Sequence, residues 1–448
     1  MRKSLRIGCG AGYAGDRIDP AEDLARQGDL DYLVLECLAE RTVALAQLER
    51  QKDPSRGYGQ LLEERMAALL PYCGAAGLKI ITNLGAANPR AALEQTVSLA
   101  EEMGIRPLKV AALLGADVLP LLQEKDSLIW EREALFSSMA DRVISADAYL
   151  GADAILPALA AGADVVLTGR VADPSLFLAP MIHEFGWKLD DWERLGQGTV
   201  VAHLLECGGQ VTGGYFADGI HKQVDNLADL GFPLAQVDGE GQGVITKLEG
   251  SGGVVNLQTC KEQLLYEIHD PGAYLTPDVT ADFSRVLLQE TGKDRVAVSG
   301  GSGRPRPDAL KVTVGVMEGY LGEAMIGFAG HGAVERALLA REILEKRYAR
   351  LALALEKTRF EIVGLNALHD HIGEQSGLRP YEVLLRVAVH VKEEMEARRA
   401  VQEVEALWVN GPGGPGGVRK QVAPMVAAYS TSIPRQDLAP YFICRELS

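Results

Sequence analysis

Apolar positions along the first part of the chain alternate between two rhythms. Short unbroken runs at Leu5–Cys9, Tyr32–Cys37, Leu78–Asn83, Leu108–Leu114 and Val165–Leu167 read as strands. Longer stretches between them, such as Tyr58–Cys73 and Pro89–Met103, place apolar residues at helical spacing. Strands alternating with helices predict parallel βαβ units. The segment Ile144–Ala163 supplies one further strand and helix. The predicted fold class is therefore α/β, opening with a mostly parallel, doubly wound, Rossmann-like sheet. A (β/α)8 barrel competes, because both architectures put function at the same strand ends.

Past Tyr215 the rhythm breaks. Asp218–Gly253 is rich in Gly and Asp, with turns at GEGQG and GSGG, and the domain boundary is expected there. This divides the chain into a site-bearing α/β domain, residues 1–230, and a smaller domain, residues 231–448. The second part carries strand-like runs at Leu310–Met317, Ala324–Phe328, Phe360–Leu365 and Tyr381–Val391, with helical runs at Ala333–Arg350 and Lys392–Leu407. That order predicts a two-layer α+β domain.

Parallel sheets bind ligands beyond the carboxyl ends of their strands. Those ends carry Cys9, Gly10 and Gly12, then Glu36, then Asn83, and then Thr168-Gly169-Arg170, which are the expected substrate-facing groups. Gly10, Gly12 and Gly15 spell G-x-G-x-x-G, but the next helix opens only near Pro20, too late for a dinucleotide loop. Arg170 suits a carboxylate or phosphate; the plainer reading is an ion pair with Asp173 across the turn. Asp173 before Pro174 is expected to cap a helix from Ser175 to Phe185.

Downstream, His203, Glu206 and Cys207 fall at i, i+3 and i+4, one face of a helix, and Gly208-Gly209 follows as a further pair expected to face the substrate. His203, Glu206 and Asp173 are the expected acid/base groups, with His269 of the His269-Asp270-Pro271 step as a further candidate base. The competing readings are a buried small thiol, a structural carboxylate and a cation bonded to helix-end carbonyls. HxxEC lacks the two histidines of a zinc helix, and His369-Asp370-His371 reads as loop, so no metal is expected. Gly300–Pro307 and Asn410–Gly417 are glycine-proline stretches near Arg or Lys, where exposed amides make anion sites. Neither GxxxxGK[ST] nor GxSxG occurs, which excludes a nucleotide P-loop and a serine-hydrolase elbow.

Three long motifs carry a resemblance: IGCGAGYAGDRIDPAEDLA, ECGGQVTGGYF and KEQLLYEIHDPGAYLTPDV. With them the chain resembles the acyclic terpene utilisation (AtuA) family from about Arg6 to about Arg435. The resemblance implies a place in breakdown of citronellol- and geraniol-type terpenoids through branched acyl-CoA intermediates. The expected function is a lyase or hydratase acting on an acyl-CoA or a small-molecule carboxylate, without a cofactor. The alternative is a non-catalytic subunit of an acyl-CoA carboxylase system. Some family members carry an additional small C-terminal domain that this chain lacks, so a separate small partner subunit is expected. A homo-oligomer is also expected.

Composition narrows the classes. Apolar residues at 47% and charged residues at 24% are those of a globular protein with a sizeable core. The net charge of −16 leaves no basic stripe for nucleic acid. No apolar run approaches the roughly 20 residues of a membrane span, and no signal-type segment opens the chain, so a soluble cytoplasmic protein is expected. Cys9, Cys37, Cys73, Cys207, Cys260 and Cys444 show neither zinc nor disulfide spacing.

Overall fold

A computed structural model of the chain describes residues 4–369, 377 and 379–448. The protein is α/β, and it forms two compact units, Met1–Gly315 with Ala428–Ser448, and Val316–Ala427. The centre of the first unit is parallel: β1 (Ser4–Ala11), β2 (Tyr32–Leu35), β3 (Lys79–Thr82), β4 (Leu108–Leu114) and β5 (Val165–Leu167) lie in the order β1-β2-β3-β5-β4. Strands covered on both faces need apolar residues throughout, and every residue of β2 and β5 is buried.

The sheet is mixed rather than parallel throughout. Beyond β1 it continues antiparallel through β6 (Pro233–Asp238) and β7 (Gly243–Lys247). The hairpin β8 (Leu287–Gly292) and β9 (Arg295–Ser299) then completes that side. On the opposite side Tyr441–Leu447 pairs antiparallel with β4, giving ten strands in all. A dinucleotide-binding doubly wound sheet reverses direction at its first strand. Here the parallel order runs straight from β1 to β3 and doubles back only at β5.

Residues 231–315 belong to the first unit. The glycine- and aspartate-rich stretch before them is a series of turns from which β6 returns to pair with β1, in register from Ser4 with Asp238 to Gly8 with Leu234. The two runs read as separate strands at Leu310–Met317 and Ala324–Phe328 form one continuous strand, Ala309–Ala329. Val143–Ala148 pairs with that strand rather than joining the large sheet.

In the second unit, residues 320–329 of the strand Ala309–Ala329 pair antiparallel with Glu382–Val391, and Leu355–Val363 pairs antiparallel on the other side of Glu382–Val391. Helices Ala333–Arg350 and Glu394–Asn410 cover these strands through a core that includes Ile326, Leu344, Leu385 and Val404. Asp370 and His371 of the HDH motif lie outside the described residues.

Candidate functional site

The carboxyl ends of β1, β2 and β5 open onto a cavity of about 950 Å3 within the first unit. Six carboxylic side chains line it: Asp16, Glu36, Glu40, Asp173, Glu206 and Glu267. Arg17 and His269 are the basic groups on its wall.

The helix Trp192–Glu206 ends at this cavity, and its last turn brings His203 and Glu206 together. His203 Nδ1 lies 2.7 Å from Glu206 Oε1, and both side chains are buried, at 1% and 8% exposure. The other two polar atoms of the pair, His203 Nε2 and Glu206 Oε2, are buried without a hydrogen-bond partner. A buried polar atom left unbonded is costly, and such atoms mark a place where a ligand or water belongs. Burial lifts the Glu206 carboxyl to about 7, against the pull of His203. The His203 ring is itself set by aromatic packing, 5.6 Å from the Tyr274 ring and 5.5 Å from Phe283.

Glu36, at the tip of β2, is the second poised carboxyl. Its Oε1 accepts from Asn83 Nδ2 at 3.0 Å and from the Leu38 amide at 2.8 Å. Burial and the neighbouring Asp173 raise it to about 8, with Arg170 acting in the other direction. Asn83 is wholly buried and also accepts from the Cys37 amide, so it is a holder of Glu36 rather than a wall of the cavity.

Arg170 does not face the cavity. Its guanidinium is 1% exposed, donates to the Leu38 carbonyl and to Asp173, and lies 4.2 Å from the centroid of the Tyr149 ring. The helix expected to be capped by Asp173 begins with it instead, after Ala172, and no side chain caps that end. Asp173 is drawn to Arg170, while its carboxyl remains 39% exposed on the cavity wall. His269 is on the wall too, past the end of helix Leu257–Leu265 rather than in its last turn.

The glycines serve close approach of backbone. A Cβ on Gly12 would stand 2.4 Å from the Cys207 carbonyl carbon, and Gly208 at φ +55° sits against the Gly12 amide. That crossing ties the loop after β1 to the end of helix Trp192–Glu206. Gly10 packs against Leu35 and Ala21, and Gly209 against Leu230. The Gly12 amide, the place for a phosphate in a nucleotide loop, donates to Asp16 at 2.9 Å. The fully buried Arg65 supports the same loop by donating to the Asp16 carbonyl at 2.8 Å.

Cys207 lines the cavity, but burial, reinforced by Glu206, pushes its thiol up and keeps it protonated at neutral pH. Cys9 is fully buried, with its thiol 3.2 Å from the Ala11 carbonyl and likewise pushed up by burial. Among the described residues no group of three or more His, Cys, Asp or Glu is placed to hold a metal ion. No described helix is long and apolar enough to cross a membrane.

In and beside the glycine-proline stretches three basic side chains are engaged internally. Arg304 donates to the Gly272 carbonyl, Arg306 to Asp153, and Lys420 to Gln402 and Glu405. Residue patterning pointed to neither Glu40 nor Glu267 as a wall residue. Glu40 is the first residue of helix Glu40–Lys52, and Glu267 adopts φ +61° in an irregular segment.

No curated protein sequence matches this chain. Among solved structures, a homoserine dehydrogenase from S. aureus aligns over 90% of this chain and 83% of its own, at 11% identity and a TM-score of 0.11, too low to bear on the fold. The family model described as acyclic terpene utilisation family protein AtuA matches residues 5–443, nearly the whole chain. The cavity therefore belongs to a protein that is a member of the acyclic terpene utilisation family.

Proposed function

We propose that the protein is an acid/base lyase or hydratase of acyclic terpene breakdown, acting on the acyl portion of an acyl-CoA or on a branched carboxylic acid. One observation carries the reading: a buried His203–Glu206 pair meets the cavity with one carboxylate oxygen unbonded and a carboxyl poised at about 7. A general base works best with a pKa near the operating pH. His203 orients Glu206 and stabilises its charged form. In hydration, Glu206 takes a proton from water as the water oxygen bonds to the β-carbon of an enoyl group. Glu36, still protonated at neutral pH, delivers a proton to the α-carbon. Elimination runs the same steps backwards.

The charge of the wall favours a thioester over a free acid. A free carboxylate would enter among six carboxyl groups, where the wall guanidinium of Arg17 already donates to the Leu227 and Ala228 carbonyls and Arg170 is committed to Leu38 and Asp173. An acyl thioester is neutral at the reacting end and carries its anionic groups elsewhere.

The test is turnover of branched 2-enoyl-CoA and 3-hydroxyacyl-CoA thioesters by wild type and Glu206→Gln. Loss of a general base predicts a fall in kcat of roughly 100-fold or more. Wild-type turnover by the variant, or none by either, sinks the proposal; the second result together with co-purification of a carboxylase returns the accessory-subunit reading.

A further inference from the structure

A second recess of about 440 Å3 adjoins the acidic cavity, and Glu40, Asp173 and Glu267 line both. We propose that this recess binds the uncharged hydrocarbon chain of the substrate, with the three carboxyl groups standing where the chain meets its reacting end. The inference rests on the reading above for the position of the reacting end, while the chain site stands on its own observations.

The lining is apolar and aromatic. Tyr149, Pro174, Tyr274 and Leu310 form its walls, and Trp130 and Leu275 leave 48% and 65% of their surface in water. Exposed large apolar side chains around a concavity are where an apolar ligand gains most from burial. Lys311 is the cation among the described lining residues, and it is engaged: its ammonium lies 3.3 Å from Glu40 and 4.8 Å from the Tyr149 ring centroid. Nothing in the lining therefore offers a free positive charge to an anionic ligand.

Glu40 is ionised at the threshold. Burial works against its charge, but the Tyr149 hydroxyl, Arg170 and Lys311 outweigh burial and hold the carboxyl down at about 2. Glu40 and Lys311 thus neutralise each other at the threshold, so an anion arriving there finds no unpaired cation, while Asp173 and Glu267 stand beside it. The recess also connects physically to the acid/base pair, because Tyr274 is a wall of the recess and packs against the His203 ring.

The experiment is isothermal titration of the full chain at pH 8 with hexan-1-ol, octan-1-ol, decan-1-ol and decanoate. Burial of each methylene predicts affinity rising roughly fourfold per added CH2 along the alcohols. Decanoate is expected at least tenfold weaker than decan-1-ol, from charge repulsion of about 1.4 kcal/mol or more. Two variants test the place: Ala309→Trp fills the recess from an exposed wall position, and Leu275→Asp puts a charge at its mouth. At least tenfold weaker decan-1-ol binding in either folded variant supports the assignment. A flat chain-length series, decanoate binding as tightly as decan-1-ol, or wild-type binding in both variants overturns it. Alkanol binding needs no proton transfer, so the Glu206→Gln turnover result decides the reaction separately.

Discussion

Glu206 and Glu36 are two carboxyl groups that the same force, burial, holds near neutrality, and small differences in their neighbours set their order. His203 pulls Glu206 down to about 7; Asp173 helps push Glu36 to about 8. If Glu206 must be ionised and Glu36 protonated, kcat/KM is bell-shaped, with its acid limb near 7 and its alkaline limb near 8. Initial rates across pH check this; Glu36→Gln should cut turnover roughly 100-fold or more, and the residual rate should lose the alkaline limb while keeping the acid one. Cys207 is expected to be dispensable: its thiol is held protonated by burial and Glu206, so Cys207→Ser should keep turnover within about threefold, inside the range of surface-like effects. At this scale the sequence was informative where chemistry follows from spacing. His203 and Glu206 at i, i+3 had to share a face. Arg170 is a divided case: its pairing with Asp173 was legible from their spacing across the turn, whereas its other partners, the Leu38 carbonyl and the Tyr149 ring, are distant in sequence and no local pattern reveals them.

Among the elements, the crossing of the loop after β1 over the end of helix Trp192–Glu206 decides whether the site exists. Gly12→Ala would drive a methyl to 2.4 Å from the Cys207 carbonyl carbon, and backbone cannot yield as a flexible side chain does. We expect a loss of about 1–3 kcal/mol, the usual range for overpacking, or about 2–4 °C per kcal/mol in a melt. Activity should fall with it, because the displacement reaches Glu206. The strand tips were readable as convergence points because β1, β2, β3 and β5 lie close to the apolar runs of the sequence. What remained hidden was pairing. Tyr441–Leu447 forms seven paired positions with β4, from Tyr441 with Leu114 to Leu447 with Leu108, a partner more than 300 residues away in sequence that periodicity does not identify. The mixed, partly exposed strand Ala309–Ala329 reads as two because Gly319 and Gly322 break its apolar rhythm.

The whole molecule keeps several carboxyl groups out of water, and its stability should show it. Glu36, Glu206 and Asp147 are raised to about 8, 7 and 7, each chiefly by burial. A carboxyl raised in the fold favours folding only while protonated. Its contribution is complete below about 4.5 and is lost as pH climbs through the folded value. Glu40 has the opposite sign: its stabilisation is present above about 4.5 and is lost as pH falls toward about 2. Thermal stability is therefore expected to peak near about pH 5 and to fall toward pH 9, a loss that Glu36→Gln reduces. Melting curves across pH check both. A peak at pH 8 with no change in the variant would contradict this account. The class of the fold was visible from periodicity, whereas the mixed character of the sheet was not, because antiparallel additions such as β6 arise from turn-rich sequence that resembles a linker.

The most direct measurement is the protonation curve of Glu206 itself, from the 13C carboxyl resonance of glutamate-labelled protein, assigned by its disappearance in Glu206→Gln. The account predicts a midpoint near 7 in the ligand-free protein with His203 intact. A midpoint near the ordinary 4.3 of a solvated glutamate would contradict it.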